Sequence, residues 1–383
     1  MCFSPAASFT LERKRVSYCI SLIDKSLGFE WLAKYLDRTL FDAHFILYQS
    51  GKSQLSEYLQ RVGFPVTIIF YRGKKDLVTA FWKTIFVWLK KRPQIVHCHL
   101  FDASLIGLAA AWLLRIPKRL HTRHHGTLHH QYHPKAVWYD RFINAISTQI
   151  IAVSPSVKET LVRLEYVAPS KVIIIPHGFD LATFTQARSS TTQKLQEKYQ
   201  LLTHSPVVGV ISRFTHWKGI QYVIPAFKKL LAEYPAAKLV LANAQGDYEA
   251  DIRQLLATLP PQNYVCIPFE PDVATLYHCF DVFVHVPVDP HSEAFGQIYV
   301  ETMLAKVPMI ATLSGVALGL LEHKKNAWVV PYQDHESIYE GLKNVITQPD
   351  LREILVENAY SLAIQKFDIQ TMIGSLTDLY QAK

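Results

Sequence analysis

The sequence predicts an α/β protein of two tandem Rossmann-like, doubly wound units that face each other across a cleft. Three observations carry that expectation. Short apolar runs alternate with helical patterns along the chain, and most are continuously apolar, as strands are when helices cover both faces of a parallel sheet. The 383 residues exceed what one hydrophobic core ordinarily organises. Residues 185–204 are polar and lack a strand pattern, and they read as a linker with a short helix. The units are then 1–185 and 186–366. Ligands of such sheets bind beyond the C-terminal ends of the strands, so the site is expected in the cleft.

In the first unit Arg15–Asp24 reads as a buried strand, followed by the loop Lys25–Gly28 and a helix from Phe29 to about Leu40. Further strands are expected at His44–Tyr48, Pro65–Tyr71, Gln94–His99, Arg119–Thr122, Gln149–Val153 and Lys171–Ile175. Helices are expected at Gln54–Arg61, Asp76–Lys91, Ala103–Leu114, about Val137–Ala145 and Pro155–Leu164. The second unit shows strands at Val207–Ser212, Lys238–Ala242, Tyr264–Pro268, Val282–Val286, Met309–Thr312 and Trp328–Val330. Two helices, Pro349–Lys366 and Ile369–Gln381, end the chain with no strand after them.

Composition is globular, with 49% hydrophobic and 19% charged residues. No run approaches eighteen apolar residues, so no membrane-spanning helix is expected. The first sixteen residues place their positive charges after the apolar part, unlike a signal peptide. Five scattered cysteines without a C-x-x-C fit a reduced, cytoplasmic protein. Residues 1–185 hold 24 Lys+Arg against 12 Asp+Glu, whereas the remainder holds 16 against 20. A basic first half points to an acidic partner: anionic lipid, nucleic acid or a phosphorylated substrate. Nucleic acid ranks lower and is not expected as a partner, since no RNP-like, helix-turn-helix or zinc-finger pattern is present. The aromatic segment Leu77–Leu89 has Lys74, Lys75, Lys90, Lys91 and Arg92 on its flanks. Its apolar residues run nearly all round, which reads first as a helix wedged between sheet and neighbours. Its composition also matches a helix lying on an anionic membrane surface.

The chemistry concentrates in His291–Pro308, HSEAFGQIYVETMLAKVP. A helix beginning near Phe295 holds Glu301 inside it and leaves Glu293 in the loop before its N-terminus. Phe295 and Gly296 sit at that end, whose free N–H groups attract anions such as phosphate. In VVGVISRFTHWKG a strand ends in Arg213, with Lys218 five residues on. The pair suits a diphosphate, Arg through a planar multi-donor contact and Lys as a point charge. Gly178, in HGFD after another strand, would let backbone approach a ligand closely. HTRHHGTLHHQYH, residues 121–133, holds six of the 17 histidines. Their spacing matches no pair such as H-E-x-x-H and no thiol or carboxylate joins them, so no metal site is expected. One or two of these histidines are expected at the strand end, facing the cleft. His97 and His99 alternate along a strand and are read as pointing to opposite faces, one to the cleft and one to the interior.

Taken in order, the strand ends around His99 and His124, PHGFD, ISRFTHWKG and SEAFG…E resemble the retaining glycosyltransferases of family 4, which have the two-domain GT-B fold. The resemblance covers most of the chain and is most specific over residues 207–312. It implies an acceptor-binding first unit, a donor-binding second unit, and a terminal helix, within 367–383, that crosses back to the first. It implies that Arg213 and Lys218 grip a donor diphosphate, Glu293 contacts the donor sugar, and Glu301 binds the ribose hydroxyls. His124, with His125 as a possible substitute, would lie near the transferred sugar. Gly28, in Leu27–Glu30, would form the glycine-rich loop after the first strand. The chain departs from the family pattern at Leu27, Lys306, Val316, Gly319 and Ala327, where other residues, mostly glycine, are usual.

The expected activity is transfer of a sugar from a nucleoside diphosphate donor to an acceptor hydroxyl, with retention and without a metal or other cofactor. The acceptor is read as a glycan or lipid-linked glycan of cell-surface polysaccharide or glycolipid assembly, at the inner face of the membrane. Two alternatives stay open: an epimerase or phosphorylase on the same fold, and a non-catalytic nucleotide-sugar-binding protein.

Overall fold

The computed structural model describes residues 13–185 and 189–382. Most of the N-terminal stretch compared with a signal peptide lies outside them, as do Cys2 and residues 186–188 of the expected linker. Seven strands, β1 (Lys14–Ser21), β2 (Phe41–Gln49), β3 (Val66–Phe70), β4 (Ile95–His99), β5 (Lys118–Arg123), β6 (Gln149–Ala152) and β7 (Val172–Ile174), make one sheet in the order β3-β2-β1-β4-β5-β6-β7. Six more, β8 (Val207–Ile211), β9 (Lys238–Ala242), β10 (Tyr264–Ile267), β11 (Val282–His285), β12 (Met309–Ala311) and β13 (Trp328–Val329), make a second in the order β10-β9-β8-β11-β12-β13. Every paired strand is parallel. Helices cover both faces, so strands such as β8 and β9 are buried at every position, which is why they read as unbroken apolar runs.

Element ends moved by a few residues. The first strand stops at Ser21 rather than Asp24 because Leu22 turns to φ +53°. The stretch read as one helix from Pro155 starts with Ser154 as N-cap and Pro155 in the first turn, then widens to a π-helical turn at Thr160–Leu164.

The last helix, Ile369–Gln381, leaves the second unit and docks on the first sheet. Phe179 N–H donates to Phe367 O at 2.8 Å, and Ile369 N–H donates to Phe179 O at 3.0 Å. At its far end the Tyr380 hydroxyl bonds His97 Nδ1 at 2.6 Å and Tyr18 Oη at 3.0 Å. The Lys14 and Lys118 ammonium groups donate to the carbonyls of Tyr380 and Leu379 at 3.0 and 2.8 Å, closing the helix C-terminus with positive charge. Gly178 is explained here. A Cβ on it would stand 2.7 Å from Ile369 Cα and 2.8 Å from Met372 Cβ, so the close approach it permits is to this helix, while Gly178 also lines a small cavity beside His124 and His177.

On the opposite face of the first sheet the helices Leu77–Lys91, Phe101–Leu113 and Ala136–Ile146 share one core with Cys19, Ile46, Val96 and Cys98. Leu77–Lys91 is not wedged on all sides. Ala80, Thr84, Ile85 and Trp88 face inward, while Val78, Trp82, Phe86 and Leu89 are exposed. No helix among the described residues is long and apolar enough to cross a membrane. The described cysteines Cys19, Cys98, Cys266 and Cys279 are free thiols.

Candidate active site

A cleft of about 720 Å³ separates the two units. Segments that follow strands, loops and the first turns of helices, line both walls. Lys25, Ser26 and Leu27 follow β1, His124 and His125 follow β5, and His177 follows β7; Arg213 follows β8, Asn243 follows β9, and His291–Ile298 follow β11. This is the carboxyl-end placement that a parallel sheet imposes.

The helix of the central motif is Gln297–Leu304, with Gly296 as its N-cap at φ +83°. Its first turn and Glu301 line the cleft, and Glu293 stands in the loop before it. That loop is held from both units. Ser154, from the first, donates to Ala294 O at 2.5 Å, and Glu293 N–H donates to Ser314 Oγ at 3.0 Å. Gly315 (φ +60°) permits the fit, since a Cβ there would stand 2.7 Å from Phe295 O and 2.9 Å from Glu293 Cβ. Phe295 is buried against His177, Phe179 and Phe367, where the apolar interior continues from one unit into the other.

Lys218 Nζ lies 2.5 Å from Glu293 Oε1, and His285 Nε2 lies 3.1 Å from the same oxygen. Burial alone would raise the Glu293 carboxyl, but Lys218 and His285 outweigh it and hold it at about 2. Arg213 is exposed on the cleft wall. The two cations expected to act as a matched pair are thus in different states: Arg213 is open to the cleft and Lys218 is tied to Glu293. Trp217, between them, packs at a tilt against Tyr132 of the other unit, ring centroids 5.2 Å apart. Glu301 behaves oppositely to Glu293. Burial raises its carboxyl to about 7, partly offset by the Tyr277 hydroxyl, which donates to Oε2 at 2.8 Å.

On the facing wall His99 Nδ1 lies 3.1 Å from His124 Nε2, and His124 stacks on His177 at 5.4 Å. Burial lowers all three, His177 to about 4, so they are neutral at physiological pH. They line a second, smaller cavity of about 220 Å³ that also touches Gly28, Trp31 and Met372. His97 and His99 do not point to opposite faces. Their rings lie 4.1 Å apart, because residues two apart on a strand share a face. His97 is the interior member, bonded to Tyr380 and to Thr122 Oγ1 at 2.6 Å. Leu27–Glu30 is not a loop: Ser26 caps a helix over Leu27–Tyr35, and a Cβ on Gly28 would meet only Ser26 Oγ at 3.9 Å.

Contrary to the expectation from the sequence, tertiary structure brings carboxylates to the histidine cluster. His129 Nδ1 lies 2.6 Å from Asp140 Oδ2 and His125 Nε2 lies 3.5 Å from Asp140 Oδ1. These three residues are a possible metal-ligand set, their ligand atoms all within 4.8 Å. Asp140 is already engaged by the buried Arg123 at 2.9 Å, and Arg123 also meets Glu165 at 2.5 Å. The guanidinium therefore supplies the positive charge that these carboxylates need. His285, Tyr277 and Ser314 were missed in the sequence. Only His285 left a signal, as a polar residue inside the apolar strand VFVH.

Comparison with known proteins matches residues 31–183 to the model of Glycosyltransferase Family 4 and residues 191–362 to that of Glycosyl transferases group 1. The chain is 26% identical over 304 residues to the capsular polysaccharide biosynthesis glycosyltransferase CapM of Staphylococcus aureus, covering 78% of this chain and 79% of CapM. It is 24% identical over 329 residues to an alpha-monoglucosyldiacylglycerol synthase of Streptococcus pneumoniae, covering 79% and 70%. Among solved structures, Anabaena HepE in complex with UDP-glucose superposes with a TM-score of 0.81 at 20% identity, over 96% of this chain and 99% of HepE. The two family models lie end to end over most of the sequence, and the protein belongs to the group 1 glycosyl transferases of glycosyltransferase family 4, with the GT-B fold.

Proposed function

We propose that this glycosyltransferase moves a sugar from a nucleoside-diphosphate sugar to an acceptor hydroxyl with retention of configuration, without a metal ion. The observation that carries the reading is the convergence of Arg213, Lys218, Glu293, Glu301 and one helix N-terminus on a single cleft wall. The departing diphosphate meets Arg213, Lys218 and the N–H groups of Gln297 and Ile298, which stabilise charge as it develops. Lys218 has three N–H donors and Glu293 uses one, so both contacts are compatible. Glu293, held ionised, accepts from sugar hydroxyls and positions the sugar. Glu301, beside Tyr277, takes the ribose hydroxyls. The neutral His124, with His99 behind it, faces the reacting sugar from the acceptor side. Closure of the cleft excludes water and limits donor hydrolysis.

The activities for which these relatives are named, capsular polysaccharide biosynthesis and monoglucosyldiacylglycerol synthesis, support a glycan or lipid-linked acceptor. The UDP-glucose complex of HepE supports a uridine-diphosphate donor. A thermal-shift screen against nucleotide sugars identifies the donor, because a ligand of the folded state raises the melting temperature. Transfer with that donor to a membrane extract, followed by anomer assignment of the product, tests the reaction. An inverted product or a full loss of activity in chelator overturns the corresponding part of the reading.

A further inference from the structure

The outer surface of the layer Leu77–Lys91, Phe101–Leu113 and Ala136–Ile146 has no role in the cleft. On the first helix Val78, Trp82, Phe86 and Leu89 follow the spacing of one helical face and are 71%, 51%, 63% and 54% exposed. Trp112 and Leu113 at the end of the second helix, and Trp138 and Phe142 on the third, are also exposed. The helices are neighbours in one layer over one sheet face, so these side chains form a broad apolar surface. Soluble proteins rarely leave such a surface uncovered.

Its charge is one-sided. Lys74, Lys75, Lys83, Lys90, Lys91 and Arg92 are exposed around the first helix, and none makes an ion pair among the described residues. Between residues 70 and 145 the only carboxylates are Asp76, Asp102 and Asp140. Asp76 is tied to Arg72 at 3.4 Å, and Asp140 is buried against Arg123.

We propose that this face docks on an anionic lipid bilayer, with the aromatic and aliphatic stripe in the headgroup boundary and the lysines on lipid phosphates. Two copies of the chain meeting through it would bring like charges together, which disfavours self-association. Its aliphatic members Val78, Leu89 and Leu113 fit hydrocarbon and offer nothing to stacked bases. The middle helix begins two residues after His99, so docking holds the first-unit wall of the cleft beside the lipid surface. The inference uses none of the residues assigned to the donor, so it can fail while the glycosyl-transfer reading survives.

Flotation of the full-length protein with vesicles tests it directly, using phosphatidylcholine alone and phosphatidylcholine with phosphatidylglycerol. Binding is expected only to the anionic vesicles and is expected to weaken in high salt. Each charge removed in K83Q/K90Q/K91Q lowers affinity about fivefold. W82E/F86E abolishes binding, and because both side chains are exposed its thermal melt matches the parent. Equal binding by parent and both variants, or no binding to anionic vesicles at low salt, overturns the proposal. So does a dimer in sedimentation equilibrium that W82E/F86E dissolves, which makes the face a self-association surface, and so does preferential binding to an oligonucleotide.

Discussion

Lys218 Nζ stands 2.5 Å from Glu293 Oε1, joining the loop after β8 to the loop after β11 inside the cleft wall. Both side chains are mostly buried, so removing one partner leaves the other charge uncompensated. Lys218→Ala is expected to cost about 3–5 kcal/mol in urea unfolding, and Lys218→Met with Glu293→Leu to recover most of it. The Glu293 carboxyl is lowered from 4.5 to about 2 on folding. Its stabilisation is therefore complete above the unfolded value and lost as pH falls toward 2. The acid-unfolding midpoint of Lys218→Ala should move to higher pH. An unchanged midpoint would show that the pair does not hold the loop.

Arg213 tests the catalytic reading separately, because its side chain is exposed on the cleft wall. Arg213→Ala should lower kcat by about 10²–10³-fold, the usual loss for one electrostatic stabiliser, with the melting temperature unchanged. An unaltered kcat with the identified donor would remove Arg213 from the mechanism.

Glu301 gives donor binding a pH dependence. Its carboxyl titrates at about 7 because it is buried. Only the ionised form accepts from both ribose hydroxyls, so affinity for a nucleotide sugar should rise from pH 6 to pH 8. A nucleotide-sugar diphosphate has no ionisation of its own there, and Glu301→Gln should flatten the curve. Calorimetry at several pH values reads both. The fold pays the opposite sign: the stability contribution is full below the unfolded value near 4.5 and is lost as pH rises through 7.

Lys306 occupies a backbone conformation that suits glycine, φ +56°, just past the end of the helix Gln297–Leu304. A left-handed L-residue costs about 1–2 kcal/mol, and the exposed bond from Lys306 to Glu357 returns little of it. Lys306→Gly should therefore stabilise the protein by about 1 kcal/mol in thermal melts. A lower melting temperature would refute this.

The C-terminal helix is latched by polar contacts rather than apolar area alone. Tyr380→Phe leaves His97 Nδ1 without its buried partner and should cost about 1–3 kcal/mol. Hydrogen exchange in Ile369–Gln381 should quicken if the latch is local.

The sequence by itself determined the alternation of buried strands and helices, the division into two sheets, and the motif that carries Glu293 and Glu301. These are local properties: period, turn residues and spacing are written in consecutive positions. It also marked Lys306 as a departure from the family pattern, and only the backbone angle gave a physical reason why glycine suits that position. Other features depend on residues far apart in the chain. Asp140 and Glu165 reach the histidine cluster from outside the motif that contains it, and Ile369 meets Gly178 across 191 positions. The sequence showed two cations of similar kind in Arg213 and Lys218; the packing of β11 beside β8 put Glu293 and His285 against only one of them. Likewise, composition marked Leu77–Lys91 as apolar and basic, but the sheet decided which of its faces was buried and which was left for a partner.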